Sequence, residues 1–168
     1  MILVILGTQD KSFERLIRDV EELVKKNIIK DKVIVQSGYT KYKSDILEIV
    51  PYLSQDDFDK YIKDAKYIIT HGGVGSILTS LKYSKKVIAV PRLSKYKEHT
   101  NDQIQIIDKF TKDKYILSYI EDGLEECVKK ISSFKPNKFV SNNSKFVDMI
   151  DNYIVDSNHS SWLNKIFR

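Results

Sequence analysis

A short apolar run that ends in a histidine and a glycine-rich turn constrains this sequence more than any other feature. Apolar side chains occupy positions 67–69, His71 follows, and glycines stand at positions 72, 73 and 75 before a helical pattern begins. A run bounded in this way is typical of a buried strand that leads through a tight turn into a helix. The segment predicts a unit of a parallel α/β sheet, a class in which ligands bind where strands end and helices begin.

The start of that helix is suited to a phosphate group. Its first N–H groups have no partner within the helix, and they lie at the positive end of the helix dipole. Gly72, Gly73 and Gly75 would let the backbone approach a diphosphate closely, while Ser76 and His71 would add donors. The alternative interpretation is a tight turn without a ligand. The spacing matches neither the G-x-G-x-x-G of dinucleotide folds nor a P-loop, which disfavours a nicotinamide enzyme or an ATPase.

Strand-like and helix-like segments alternate along the rest of the chain. This order predicts an α/β fold with a Rossmann-like parallel sheet and helices on both faces. Strands are predicted over 2–6, 32–36, 46–50, 67–70, 87–90 and 115–119, and helices after the caps Ser12 and Ser54, near Val74, and over 101–110 and 124–132. One domain, residues 1–134, would end at a connector around Pro136, and residues 135–168 would form a C-terminal helical extension.

Composition narrows the class of protein. The sequence has 168 residues, the size of one ordinary domain, and no apolar run approaches the roughly 18 residues that span a bilayer. Cys127 is the only cysteine, which excludes an internal disulfide and is compatible with a reducing cytoplasm. The net charge of +5 is spread out, so nucleic-acid binding is disfavoured and a modest attraction to anionic membranes or phosphorylated substrates fits better. We expect no metal and no cofactor.

Two further strand ends should meet the glycine-rich turn at one edge of the sheet. The first, Gly7-Thr8-Gln9, combines a sharp turn with two side chains that form hydrogen bonds. The second begins a long polar loop with Arg92, Glu98, His99, Asn101, Asp102 and Gln103. Long ordered loops tend to be functional, and this one holds cations for phosphate and acceptors for hydroxyls. Asp102 and Gln103 would bind ribose or sugar hydroxyls, with a plain helix cap at Asn101-Asp102 as the alternative.

Together these motifs resemble a known family. The ordered set is Gly7-Thr8-Gln9, Gln36-Ser37-Gly38, residues 71–76, Pro91-Arg92, Glu98-His99 and Asn101-Asp102-Gln103. It is similar to the C-terminal, nucleotide-sugar-binding half of family 28 GT-B glycosyltransferases. Within that family it resembles the small subunits of split enzymes in dolichol-linked oligosaccharide synthesis and their bacterial counterparts in capsule and exopolysaccharide assembly. The resemblance spans about residues 1–130.

The resemblance implies a role for each motif. The donor diphosphate would lie on Gly72, Gly73, Gly75 and Ser76 beside His71, and Asp102 and Gln103 would contact the donor ribose or sugar. Gly7, Thr8, Gln9, Arg92 and Asn101 would complete the nucleotide-sugar site. His99 and Glu98 are candidates for the catalytic base because transfer requires a group that takes a proton from the acceptor hydroxyl. A base on a partner chain is the alternative.

The resemblance also implies the reaction and the partners. The chain would transfer a sugar from a UDP-sugar to a lipid-diphosphate-linked saccharide, together with a membrane-anchored subunit that binds the acceptor. It would be cytoplasmic and would associate with the membrane face through that partner. One alternative is an epimerase-like nucleotide-sugar enzyme that acts alone, and another is a non-catalytic nucleotide-sugar-binding partner or sensor. Apolar pairs between Ile150 and Phe167 either pack on the domain or dock the extension on the partner or the bilayer.

Overall fold

A computed structural model of the chain describes residues 1–100, 104–120 and 123–140. Strands and helices alternate along the described residues. In chain order they are β1 (Ile2–Ile5), α1 (Glu14–Lys25), β2 (Val33–Gln36), β3 (Glu48–Val50), α2 (Gln55–Asp64), β4 (Ile68–His71), α3 (Val74–Lys82), β5 (Val87–Val90), a 3-10 turn (Ser94–Tyr96), α4 (Ile104–Lys112), β6 (Leu117–Ser118) and α5 (Leu124–Ile131). The predicted C-terminal helix, residues 143–168, lies outside the described residues and stays a prediction.

The six strands form one parallel sheet in the order β3-β2-β1-β4-β5-β6. Leu3 of β1 pairs with Ile34 of β2 on one side and with Ile68 of β4 on the other. β2 and β3 lie on one side of β1, and β4, β5 and β6 lie on the other, so the order of the strands reverses at β1. A crevice therefore opens between the carboxyl ends of β1 and β4, the place where open α/β sheets bind ligands. The predicted fold class is confirmed.

Helices cover both faces of the sheet, and alternate side chains of each strand enter two separate cores. Ile2 and Val4 of β1 pack with α1 and α5, whereas Leu3 and Ile5 pack with α2, α3 and α4. Strands buried on both faces need apolar side chains at every position, which explains the continuous apolar runs in the sequence. The six strand ends are thereby fixed relative to one another.

The edge strands are shorter than predicted because other hydrogen bonds take their backbone amides. The Ser44 hydroxyl accepts from the amides of Ile46 and Leu47 at 3.2 and 3.1 Å, so β3 begins only at Glu48. At the other edge, the Tyr115 amide donates to the Phe110 carbonyl at 2.9 Å as α4 ends. The two-residue strand β6 follows that helix end.

Helix starts were predicted with mixed success. Ser54 caps α2 as expected, with its hydroxyl accepting from the Asp57 amide at 3.1 Å. The prediction that Ser12 caps α1 is wrong, because Phe13 occupies the cap position and its amide donates to the Thr40 hydroxyl at 2.9 Å. That bond ties the loop after β1 to the loop after β2 at the carboxyl edge of the sheet.

Candidate functional site

A cleft of about 310 Å³ lies at the carboxyl edge of the sheet, over the ends of β1 and β4. One side is polar and is formed by the turn after β1 and the start of α3. The other side is apolar and is formed by the segment that follows β3 and by the first half of α2. The lining residues are Ile5, Gly7, Thr8, Gln36, Tyr52, Leu53, Phe58, His71, Gly73, Val74, Gly75 and Ser76. The structure thus brings together two of the three predicted strand-end motifs, together with a wall that the motifs did not indicate.

The start of α3 forms the floor of this cleft. Gly73 is the cap residue, no side chain caps the helix, and its first turn contains no acidic residue. The first intrahelical bond of this turn joins the Ile77 amide to the Gly73 carbonyl at 3.2 Å. The amides before Ile77 are therefore available to an acceptor in the cleft, where they combine with the positive end of the helix dipole. Gly75 and Ser76 border the same space, as the sequence predicted for an anion site.

His71 stands beside that helix start with its ring orientation fixed. Its Nδ1 lies 3.3 Å from the Ile5 carbonyl oxygen and 3.5 Å from the Thr70 hydroxyl. A carbonyl only accepts, so the hydrogen-bond network assigns the ring proton to Nδ1 and leaves a lone pair on Nε2. Burial, and then the charges of Arg92 and His99, lower the pKa of His71 to about 4. The sequence predicted a second donor here, and the neutral ring instead presents an acceptor.

Two glycines make room for this ring. A Cβ on Gly73 would stand 2.2 Å from His71 Nε2, and one on Gly7 would stand 2.5 Å from Cε1. Gly7 also has a φ of 79°, a left-handed conformation that permits the sharp turn after β1. The glycine at 73 was predicted to give a diphosphate access to the backbone. In the structure Gly73 has a second role, because a side chain at this position would overlap the His71 imidazole.

Arg92 does not line the cleft, which corrects the expectation that it contacts a ligand. Its side chain is 1% exposed, and its two Nη atoms donate to the carbonyls of Leu6, Lys11, Ser12 and Glu98 at 2.8–3.5 Å. Within the part of the chain that the structure describes, its Nε has no hydrogen-bond partner. Burial lowers the pKa of Arg92 to about 10, opposed by the charges of Glu98 and Asp10, so the guanidinium stays charged at neutral pH. It joins the loop after β1 to the loop after β5.

Glu98 is also structural rather than a candidate base. Its carboxylate accepts from Nε and Nη2 of Arg15 at 3.0 and 2.9 Å and from the Leu93 amide at 2.9 Å. It is 4% exposed, so an acceptor hydroxyl has no route to these oxygens. The prediction that Glu98 takes a proton is wrong, because the carboxylate is buried and bound by a cation. His99, which is partly buried and acts electrostatically on His71, remains the candidate on this loop.

The remaining predicted residues separate into three groups. Thr8 is exposed at the mouth of the cleft, and Gln9 is partly buried but does not line it. Gly72 is buried next to the cleft without lining it. Asn101, Asp102 and Gln103 lie outside the described residues, so their sugar contacts stay predictions.

Three residues of the cleft have no predicted role: Gln36, which belongs to the motif set of the resemblance, and Tyr52 and Phe58, which do not. Gln36 is buried, and its Nε2 donates to the carbonyls of Gly7 and Pro51 at 3.3 and 3.1 Å, which joins the polar and apolar sides. Tyr52 and Phe58 supply aromatic surface opposite the glycine turn. Position was the signal for all three: Gln36 ends β2, and the other two follow β3, at the same edge of the sheet. Tyr52 and Phe58 belong to no hydrogen-bonding motif, so only their position after β3 indicates them.

Comparison with known families agrees with this arrangement. The sequence profile of the glycosyltransferase family 28 C-terminal domain matches residues 1–153. The chain belongs to this family. Among the described residues of this family member, no group of histidine, cysteine and carboxylate side chains is placed to hold a metal ion. Over the same residues, no helix has the length and apolar character needed to cross a membrane.

Two curated relatives are fungal proteins, each named UDP-N-acetylglucosamine transferase subunit ALG13. The Candida albicans protein is 30% identical over 102 residues, which cover 61% of this chain and 34% of the relative. The Candida glabrata protein is 33% identical over 116 residues, which cover 67% and 48%. The chain therefore matches between about a third and a half of the length of these relatives.

A solved structure supports the fold. The glycosyltransferase SnogD from Streptomyces nogalater superposes with a TM-score of 0.55 and 17% identity, over 77% of this chain and 33% of SnogD. At this level of identity the likeness concerns the fold alone. It confirms the prediction of a Rossmann-like domain equivalent to one half of a GT-B glycosyltransferase.

Proposed function

We propose that this chain is the donor-binding part of a glycosyltransferase that uses a UDP-sugar, with UDP-N-acetylglucosamine as the first donor to test. The observation that carries the proposal is the uncapped start of α3, which forms the floor of a cleft at the crevice of the sheet. Membership of family 28 and the similarity to subunits named for UDP-N-acetylglucosamine transfer support it. The diphosphate would lie on the amides around Gly75 and Ser76.

The proposed chemistry needs little beyond this backbone. When the bond between the sugar and the diphosphate breaks, negative charge develops on the leaving oxygen. Amide donors that are already oriented stabilise such charge without reorganising, and the helix dipole adds to the effect. Tyr52 and Phe58 on the opposite wall offer apolar surface to the rest of the donor.

The acceptor side of the reaction is proposed to come from a second chain. The described residues form one Rossmann-like sheet with a single layer of helices on each face, and the cleft opens at the edge of that sheet. A partner anchored in the membrane would cover this edge and bind a lipid-diphosphate-linked saccharide, which would hold the chain at the cytoplasmic membrane face. Glycan assembly, including capsule or exopolysaccharide, is the process in which such a reaction serves.

Gly75→Asp tests the donor site directly. An aspartate in the first turn of α3 favours the helix through the dipole, so stability should be unchanged or slightly higher. Its carboxylate would occupy the anion position, and we expect binding of UDP and of UDP-N-acetylglucosamine to be lost in calorimetry. Gly75→Asn is the matched control, because it adds a side chain of the same shape without charge and should retain more affinity. Equal affinity in all three proteins would contradict the proposed site.

A transfer assay separates catalysis from binding alone. We expect the purified chain to bind the donor, and to transfer sugar to a lipid-diphosphate acceptor only when membranes containing the partner are added. Transfer at full rate by the chain alone would refute the need for a partner. Donor binding without transfer under either condition would favour a non-catalytic nucleotide-sugar sensor.

A further inference from the structure

We infer that the site binds the donor diphosphate together with one proton, and that Nε2 of His71 is the atom that takes it up. This inference rests on the proposed function and adds a protonation step to it. It begins from the orientation of the ring, in which Nδ1 faces the Ile5 carbonyl and Nε2 faces the start of α3. With this tautomer the ring presents a lone pair at the place proposed for the diphosphate.

Two acceptors cannot share this place without a hydrogen between them. A diphosphate diester has only acceptor oxygens towards the protein, and the neutral Nε2 is also an acceptor. A diphosphate seated on the first amides of α3 would lie against Nε2, because even a Cβ on Gly73 would approach that atom to 2.2 Å. Proton uptake turns the repulsive contact into a charge-assisted hydrogen bond. The Nδ1 bond to Ile5 is kept in both states because that nitrogen carries its hydrogen throughout.

The charges around His71 explain why the proton arrives with the ligand. Arg92 and His99 act electrostatically on the ring, and both oppose a positive charge on it. Asp10 and Glu98 act on the Arg92 guanidinium instead. The turn at Gly7 and Thr8, the first turn of α3 and the side chains of Gln36 and Tyr52 bring no acidic group to the cleft. The two negative charges of a diphosphate would reverse this balance at short range.

Among the described residues, hydrogen bonds are formed by Nδ1 of His71 and not by its Nε2. Gln36 donates to two carbonyls, and the Arg92 Nη atoms donate to four. Thr70, beside the ring, donates to the Ile5 carbonyl at 3.3 Å. These neighbours hold the ring in place without satisfying Nε2. The atom is therefore free to change its protonation state without rearrangement of the protein.

Calorimetry with UDP-N-acetylglucosamine at pH 6 tests the inference, because this diester does not titrate near that pH. Titrations of the wild-type protein in buffers with different ionisation enthalpies report the number of protons taken up, and we expect close to one per site. The affinity of the wild-type protein for UDP-N-acetylglucosamine should weaken by up to tenfold per pH unit as the pH rises from 5.5 to 7. His71→Asn should bind with almost no proton uptake and a flat pH dependence, whereas His99→Asn should retain the uptake.

The outcomes distinguish this inference from the function on which it rests. No binding of the nucleotide sugar at any pH would overturn the proposed function. Binding by the wild-type protein without dependence on buffer or pH would overturn the proton uptake and leave the function standing. Uptake that survives in His71→Asn and disappears in His99→Asn would assign the proton to the wrong imidazole and would equally overturn the inference. The wild-type titrations decide whether a proton is taken up even where a variant folds poorly.

Discussion

Glu98→Gln separates a structural carboxylate from a catalytic one. Glutamine keeps the shape of the side chain and an oxygen that can accept from the Leu93 amide. It removes the negative charge that faces Arg15, a side chain that is only 14% exposed and also donates to the Pro91 carbonyl at 2.9 Å. Arg15 and Arg92 would then be two neighbouring cations without their shared carboxylate. We expect the protein to lose stability and the loop after β5 to loosen.

The magnitude follows from the burial of the pair. Removing one partner of a buried ion pair costs about 3–5 kcal/mol, because the remaining charge is left without compensation. Arg15 keeps some access to water, which places the expected loss near the lower end, about 3 kcal/mol. For a chain of this size, that corresponds to a fall in melting temperature of about 6–12 °C.

Urea unfolding and thermal melting of three proteins measure the effect. The matched control is Glu126→Gln, whose carboxylate is 73% exposed and pairs with Lys130 at 3.1 Å. An exposed helix pair of this kind contributes little, so the control should melt with the wild-type protein. If Glu98→Gln were as stable as the wild type but had lost transfer activity, the carboxylate would act in the chemistry and the structural assignment would be refuted.

Two further predictions concern His71 and the turn at Gly38. The pKa of His71 is about 4 in the folded chain and 6.5 in the unfolded chain, so the unfolded chain binds the proton first as the pH falls. The contribution of the neutral ring to stability should be complete above pH 6.5. Urea unfolding should show that the wild type loses about 3 kcal/mol by pH 4 relative to His71→Gln. Parallel curves for the two proteins from pH 7.5 to 4 would contradict that pKa. Gly38→Ala should destabilise the protein strongly, because Gly38 has a φ of 57° and its Cβ would stand 2.1 Å from the Gly7 carbonyl oxygen. Gly123→Ala is the control, since Gly123 has a φ of 118° but a nearest contact of 3.6 Å and therefore carries only the backbone strain. An equal loss of stability in both variants would show that the contact at Gly38 is unimportant.

The central strands could be predicted from sequence because burial on both faces leaves a continuous apolar signature. The runs around Val4 and Ile88 carry that signature, and both are β-strands of the sheet. The edge strands could not be placed as well, since their limits depend on competing hydrogen bonds. The Ser44 hydroxyl removes two amides from β3, a contact within three positions that periodicity does not reveal.

The location of the cleft was predictable, but the positions of the charged residues around it were not. A glycine-rich turn after a strand indicates an anion site by local chemistry alone. For Arg92 and Glu98, in contrast, the polar loop in which they lie predicts side chains that face a ligand or an acceptor. Their partners are distant in sequence: Glu98 binds Arg15, 83 positions away, and Arg92 binds the Leu6 carbonyl, 86 positions away. Only the fold brings these groups together.

The buried cation Arg92 would attract a diphosphate to the cleft electrostatically, while neutral groups would form the hydrogen bonds to it. Arg92 is fully buried behind the cleft, so solvent and salt screen its charge far less than they would screen an exposed lysine. Its guanidinium stacks 4.8 Å from the centre of the Phe13 ring and is held by backbone carbonyls, so it cannot turn to grip the ligand. The guanidinium therefore attracts the diphosphate from a fixed position without touching it, and the amides of α3 would donate the hydrogen bonds. A proton that His71 takes up with the ligand would then add a positive charge at the contact itself when the donor binds.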